Sequence, residues 1–263
     1  GVINDTANWC LGRPSSTQLT RQHSLPGGAA ETRSYAHAWD YMRCRPTQQT
    51  IEPASATLRV TSDFAYDAYG NVAAASVTPV SQPVRTTSYT WTGNGRFPGR
   101  TTNAEGHVEA VAWDAVRATP TSVTDPNGLV TTLQHDSLRR LIQQTRPDGT
   151  GLALARDACG AACVRPGTAY VLRMTERASG GLPIATLEQG FDAYERETYA
   201  RQDLPGGRQA YRAQVYDASG RLAQQSIPGP CCAAPAHWIT HRYDLIGRRT
   251  ATERPTSEAV PTP

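Results

Sequence analysis

The stretch Val215-Tyr216-Asp217-Ala218-Ser219-Gly220-Arg221-Leu222 (VYDASGRL) sets an aromatic ring, a carboxylate and a guanidinium side by side. Alone, it is a candidate catalytic group. Repetition changes that reading. Tyr-Asp recurs at Tyr66-Asp67, Tyr216-Asp217 and Tyr243-Asp244. Relaxed versions stand at Trp39-Asp40, Trp113-Asp114, His135-Asp136, Arg156-Asp157 and Phe191-Asp192, and Trp91-Thr92 keeps the frame without the acid. The second residues fall at 40, 67, 92, 114, 136, 157, 192, 217 and 244, so most steps lie between 21 and 27 residues. A fixed period of this size is the mark of a repeat array. Trp9, in Asn8 to Pro14 (NWCLGRP), starts a degraded further unit.

Each unit has a turn logic. Asp in the first place can accept a hydrogen bond from a backbone N–H two residues on, and Gly in the fourth can take positive φ. Gly70, Gly95, Gly160, Gly220 and Gly247 fill the fourth place; Arg43, Arg117, Arg139 and Glu195 fill it elsewhere, at some strain. Arg follows at Arg96, Arg140, Arg196, Arg221 and Arg248. Opposite turns are expected at 25–28 and 204–207 (LPGG), 125–128 (DPNG) and 147–149 (PDG). Between them lie short runs rich in Thr, Val and aromatics, such as 129–133, 170–174 and 212–216, which read as strands. One hairpin cannot bury its own apolar face, but stacked hairpins can. The fold expected is therefore all-β: an array of stacked β-hairpins forming a curved, spiralling sheet, an arc of a β shell. The leading aromatics are expected to stack on one another as a ladder, with Arg lying across rings or pairing with a neighbouring Asp. The array should form a single domain over residues 1–250, with an insertion near 157–183 and a Pro/Ser/Thr-rich tail or linker at 251–263.

Composition excludes several classes. The 263 residues carry 26 basic and 23 acidic side chains, and every basic one is Arg. A net charge of +3 argues for neither a nucleic-acid nor a membrane partner. No apolar run is long enough to span a bilayer. The Gly1 start suggests a mature or partial chain. Without Lys there is no phosphate-binding P-loop.

The units Tyr66 to Val72 (YDAYGNV), Tyr216 to Leu222 (YDASGRL) and Tyr243 to Arg249 (YDLIGRR), with the spacers 124–136 and 235–244, resemble those of the Rhs/YD-repeat family. That family includes bacterial Rhs polymorphic toxins, the C-type subunits of insecticidal toxin complexes, and teneurins. The resemblance covers most of the chain. It implies a non-catalytic structural segment of a repeat shell that encapsulates a C-terminal toxin or effector. It also implies a larger Rhs chain as partner and a secreted or cell-surface bacterial location. A second reading is a carbohydrate-binding or cell-adhesion module that uses exposed aromatic ladders, with cell-surface glycans as partners. A hydrolase is the third.

The array argues against an active site, because an active site needs one convergent constellation and the Tyr–Asp pairs are serial. Asp125-Pro126-Asn127-Gly128-Leu129 resembles an element of the self-cleaving core that follows the repeats in Rhs toxins. It sits mid-array with no second matching carboxylate motif, so it reads as a turn. The residues expected to build the repeat are Trp39, Asp40, Tyr66, Asp67, Gly70, Trp91, Trp113, Asp114, His135, Asp136, Asp157, Phe191, Asp192, Tyr216, Asp217, Gly220, Arg221, Tyr243, Asp244, Gly247 and Arg248. His37 and His241 fall two residues before a repeat aromatic, at packing positions. For Cys159 and Cys163, and for the adjacent Cys231 and Cys232, a local disulfide, a metal site and free thiols stay open. No catalytic residue, metal or cofactor is expected.

Overall fold

The structure is a computed structural model that describes residues 1–22, 30–159, 164–231 and 234–255. Apart from a 3-10 turn at Pro205–Gly207, every regular element among these residues is a strand, so the fold is all-β. The chain divides into two compact units, Gly1–Val130 and Thr131–Pro263.

The first unit starts with a separate hairpin, β1 (Val2–Asp5) and β2 (Cys10–Pro14). Its main sheet runs β3 (Ser16–Arg21), β4 (Glu31–Asp40), β5 (Arg45–Ile51), β6 (Val60–Tyr66), β7 (Val72–Pro79), β8 (Arg85–Thr92), β9 (Phe97–Thr102), β10 (Val108–Asp114) and β11 (Thr119–Thr124). Each strand pairs antiparallel with the next. In the second unit the same meander links β12 (Val130–His135), β13 (Leu141–Thr145), β14 (Gly151–Ala158), β15 (Tyr170–Arg177), β16 (Pro183–Phe191), β17 (Glu197–Asp203), β18 (Gln209–Tyr216) and β19 (Leu222–Ser226). The two-residue β20 (Gly229–Pro230) returns to β18, whereas β19 pairs with β21 (Trp238–Tyr243) and β21 with β22 (Arg249–Glu253).

The hairpin ends explain the period. Asp or Thr closes β4, β8 and β10, and in the other repeat hairpins Asp is the first turn residue. The ladder register shifts at Trp39, Tyr66, Trp91, Trp113, His135, Phe191, Tyr216 and Tyr243, one residue before each corner Asp or Thr. Such a bulge re-aims a side chain and tightens the twist. Here it turns one ring per hairpin.

Arg156-Asp157 differs from the expectation. It lies inside β14, where Asp157 pairs with Val171 in an unshifted ladder, so it is not a corner. Tandem pairing along the whole of β14 and β15 leaves no turn there for the carboxylate to tie. The stretch 170–174 does form a strand, β15. β22 carries the ladder past residue 250, so the stretch expected as a tail starts as paired strand. The 25–28 turn lies outside the described residues.

A single sheet has little interior. Tyr199 and Ala213 are fully buried, and with Val171 and Tyr211 they form a small core in the second unit. Cys159, Val164, Cys231 and Trp238, from the segments on either side of the sheet's long connections, pack over it.

Candidate functional site

The repeat corner is built by its Asp. In five corners one carboxylate oxygen accepts the N–H groups two and four residues on, as Asp217 does from Ser219 and Arg221, both at 2.9 Å. Asp67, Asp136, Asp192 and Asp244 make the same pair. The second oxygen takes the Nε–H of the following Arg at 2.7 Å in Arg140, Arg196, Arg221 and Arg248. The Arg221 N–H leads in holding the Asp217 carboxyl below the ordinary aspartate value, and the Arg221 side chain adds to it against partial desolvation. The left-handed residue in these corners is Gly70, Arg139, Glu195, Gly220 or Gly247, as expected.

Three corners, at Asp40, Thr92 and Asp114, are one residue longer. Asp40 and Asp114 accept from the N–H groups two and three residues on, and the positive φ falls on Cys44 and Ala118. Arg43 and Arg117, expected to carry that strain, instead reach back to their own Asp at 3.2 and 3.0 Å. The extra residue moves the reversal point along by one.

Five of the corners are tied to the one before them. The Tyr66 hydroxyl donates to the Pro46 carbonyl at 2.6 Å, and the Trp91 indole N–H donates to Val72 at 2.9 Å. Trp113 donates to Pro98, Tyr216 to Glu197 and Tyr243 to Leu222. In every case the acceptor is the residue that pairs with the previous corner's ring: Pro46 faces Trp39, Val72 faces Tyr66, Pro98 faces Trp91, Glu197 faces Phe191 and Leu222 faces Tyr216. Trp39 reaches Pro14 of β2 by the same bond. Guanidinium groups of the preceding corner lie over the rings: Arg45 over Tyr66 at 5.4 Å, Arg196 over Tyr216 at 4.7 Å and Arg221 over Tyr243 at 4.8 Å. The Arg45 guanidinium also fills the space where a Cβ at Gly70 would stand. That glycine is required twice, for its φ and for this slot.

The expected ring-on-ring ladder is therefore corrected. Ring pairs do occur, Phe97 with Trp113 and Tyr170 with Phe191, but no two leading rings stack on each other among the described residues. The hairpins are joined by ring-to-backbone and Arg-to-ring contacts. The preference for Trp and Tyr over Phe, residues whose rings carry a donor, is the signal that could have shown it. His37 and His241 meet Thr17 and Thr252 hydroxyls on the neighbouring strands.

Two features were not legible in the sequence. A disulfide joins Cys10 to Cys44, with Cα atoms 5.2 Å apart, and ties the first hairpin to the Asp40 corner. Cys159 is described and disulfide-bonded, whereas Cys163 lies outside the described residues, and the expected bridge between them falls there. The second feature is Glu188, 4% exposed, at the edge of the small core of the second unit. It accepts the Tyr199 hydroxyl at 2.7 Å, Arg173 at 3.0 Å and Arg201 at 3.1 Å, while Arg173 also reaches Asp157 at 3.0 Å. Burial pushes Glu188 up, but Tyr199, Arg173 and Arg201 together outweigh it and hold the carboxyl below the ordinary glutamate value. Burial, and then Glu188, push the Tyr199 phenol well above its usual range. The carboxylate, two guanidiniums and the phenol hold one another in a structural knot. On the opposite face a groove of about 230 Å³ is lined by Leu154, Leu172, Met174 and Leu187, with Arg140 and Arg156 among its lining.

The corner tips are conspicuous. In six of the seven Asp corners the residue two places after Asp is apolar or aromatic, Met42, Tyr69, Val116, Leu138, Tyr194 or Ile246, all between 63% and 89% exposed, and in the Asp217 corner it is Ser219. The turns at the other hairpin ends carry Glu105 after Asn103 and Asn127 after Asp125 in the same place, on the same backbone bonds. Turn geometry alone thus does not call for an apolar tip.

Residues 120–150 match the family model RHS Repeat, and they span β11, the Asp125 turn, β12, the Asp136 corner and β13. No curated protein matches the chain. Among solved structures, TcdB2-TccC3 without its hypervariable C-terminal region is similar at 12% identity and a TM-score of 0.45, covering 94% of this chain and 15% of that one. The Photorhabdus luminescens Tc holotoxin pore is similar at 12% identity and a TM-score of 0.32, covering 92% and 15%. A porin-like protein from Bacteroides uniformis reaches 10% identity and a TM-score of 0.27, covering 90% and 94%. The chain thus spans about 15% of the length of the toxin chains it resembles. The chain thus carries an RHS repeat at residues 120–150, and corners of the same build recur on either side of it.

Proposed function

We propose that the chain is a non-catalytic wall segment of a larger Rhs-type protein, secreted or at the bacterial cell surface, whose shell encloses a C-terminal effector. The carrying observation is the corner itself. The same Asp, Arg and ring recur along each sheet and spend their polar groups on the backbone of their own hairpin and the one before it. Nothing is left over for a shared reaction centre. The row of apolar tips supports a larger assembly, since exposed apolar groups set by no local need mark contact with something else. A glycan-binding surface finds less support, because the rings of Tyr66, Tyr216 and Tyr243 each have a guanidinium over them.

The test is protease protection in the full-length natural protein. The effector portion should resist digestion until the repeat region is denatured. Digestion at the rate of the free effector domain would overturn the proposal.

A further inference from the structure

Two Asn-Gly pairs stand at exposed turns, Asn94-Gly95 and Asn127-Gly128. Asn-Gly is the pair most prone to succinimide formation, because glycine leaves the attacking nitrogen unhindered. The two turns are held very differently. At 125–129, Asp125 and Leu129 exchange a backbone bond, Gly128 N–H donates to Asp125 O at 3.0 Å, and the Asp125 carboxylate takes the N–H groups of Asn127 and Leu129. The Gly128 nitrogen is tied, and so is the residue before it.

At 92–97 the corner has lost its Asp. Thr92 stands in that place, and the corner keeps one backbone bond, Arg96 N–H to Thr92 O at 3.0 Å. The Gly95 N–H has no partner among the described residues. Gly93, Asn94 and Gly95 all have positive φ, at 58°, 58° and 79°, and Asn94 is exposed. Glycine on either side leaves Asn94 without a neighbouring Cβ to hinder it, and the Gly95 nitrogen stays unheld although its carbonyl is bonded.

We propose that Asn94 is a spontaneous modification site in the folded chain, converted to isoaspartate severalfold faster than Asn127. The Gly95 nitrogen loses its proton to solvent base and attacks Asn94 Cγ. The new C–N bond forms as Cγ–Nδ2 breaks, and ammonia leaves. Water then opens the five-membered imide at either carbonyl, giving an α-linked aspartate or a β-linked isoaspartate at position 94. No oxidant or reductant is involved.

The consequence follows from two contacts. The Gly95 carbonyl accepts the Asn71 side-chain amide at 2.8 Å, and the Tyr69 ring rests where a Cβ at Gly95 would stand. These join the Asp67 corner to the next one. The β-linked product lengthens the backbone beside Gly95 by one methylene and adds a charge at that joint. The modification therefore loosens the Asp67 corner from its neighbour.

The experiment ages the native chain in mildly alkaline buffer and maps peptides for a one-dalton gain and for methyl acceptance from an isoaspartyl methyltransferase. The expected result is early conversion at Asn94, late conversion at Asn127, and similar rates at both in denaturant. Equal or faster conversion of Asn127 in the native chain overturns the site. Hydrogen exchange at Tyr69 to Val72 should speed up in the aged chain and not in an equally aged Asn94→Gln variant. Unchanged exchange in fully converted protein overturns the coupling.

Discussion

The sheet around β15–β18 and the sheet from β4 to β11 solve one problem in two ways. A single antiparallel layer cannot bury both faces. Around β15–β18, one face is covered by the segments bearing Cys159, Val164, Cys231 and Trp238, and beneath them Tyr199, Tyr211, Val171 and Ala213 form a true interior with Glu188 at its edge. From β4 to β11 the buried side chains are those of Thr50, Phe97 and Thr119. That region is held by a short list of links that recur along it: a turn tied by Asp at 40, 67 and 114, a ring tip on the preceding backbone, and a guanidinium on a ring. The first arrangement concentrates stability. The second distributes it, as expected when each repeat touches only its neighbours.

The sharpest way to break this contrast is to truncate one ring in each setting. Tyr199→Ala should cost about 4 kcal/mol, in the range for a fully buried aromatic. Tyr66→Ala, at a half-buried corner ring of β6, should cost about 2 kcal/mol on the same scale. Urea denaturation of both variants measures it. Equal costs would mean that the corner rings are core and that the two regions are one kind of structure.

Next in size is Glu188→Gln, which leaves Arg173 and Arg201 facing a neutral group. Breaking a buried ion pair costs about 3–5 kcal/mol, and the partly exposed arginines bring the expectation to about 2 kcal/mol. A change within a few tenths of a kcal/mol would show that solvent already screens the knot, and the concentrated interior would rest on packing alone.

The corners were largely legible in the sequence, in both regions, and the interior around Glu188 was not. Asp and Gly at a fixed offset dictate a turn through local bonds, so Asp67, Asp136, Asp192, Asp217 and Asp244 could be placed from spacing alone. Where an extra residue entered the turn, at Asp40 and Asp114, the local rule still placed the carboxylate but misplaced the left-handed residue by one. Glu188, Arg173 and Arg201 meet only through the register of β15, β16 and β17, and no local pattern encodes that register. Asp157 failed for the same reason: its two-residue match to the corner is overruled by its partner strand. The Cys10–Cys44 bridge depends on where β1–β2 folds back, which nothing in the spacing states.

A smaller change isolates the link itself. Tyr243→Phe keeps the ring under Arg221 and removes only the hydroxyl that reaches Leu222 at 2.9 Å. The expected loss is about 1 kcal/mol, the net worth of one neutral hydrogen bond. Tyr199→Phe removes a bond to a charged acceptor and should lose about 2 kcal/mol. Thermal melts of the pair give the difference. If Tyr243→Phe is neutral, the tip-to-carbonyl contact is incidental and Arg-on-ring contact carries the joint.

Acid should separate the two regions by salt rather than by size. The corner carboxylates Asp67, Asp114, Asp136, Asp192, Asp217 and Asp244 are all held below the ordinary aspartate value. A group depressed in the folded state stabilises above its unfolded value, and that contribution disappears as pH falls through the depressed one, so the loss begins below about pH 4. Glu188 is depressed in the same direction but lies at 4% exposure behind its partners. Corner pairs face solvent and weaken as ions screen them, whereas the Glu188 knot should not. Four of the five tryptophans, Trp9, Trp39, Trp91 and Trp113, lie in the first unit, and Trp238 lies in the second. In a Trp238→Phe variant, acid unfolding followed by fluorescence reports the first unit alone, and raising salt should shift its midpoint upward in pH. A single tryptophan kept at 238, with the other four replaced by Phe, should report a midpoint that salt moves more, because Asp136, Asp192, Asp217 and Asp244, each paired with an Arg, all lie in the second unit. A smaller shift at Trp238 would place the acid-sensitive charge of the second unit at the screened-off Glu188 knot and not at its corners.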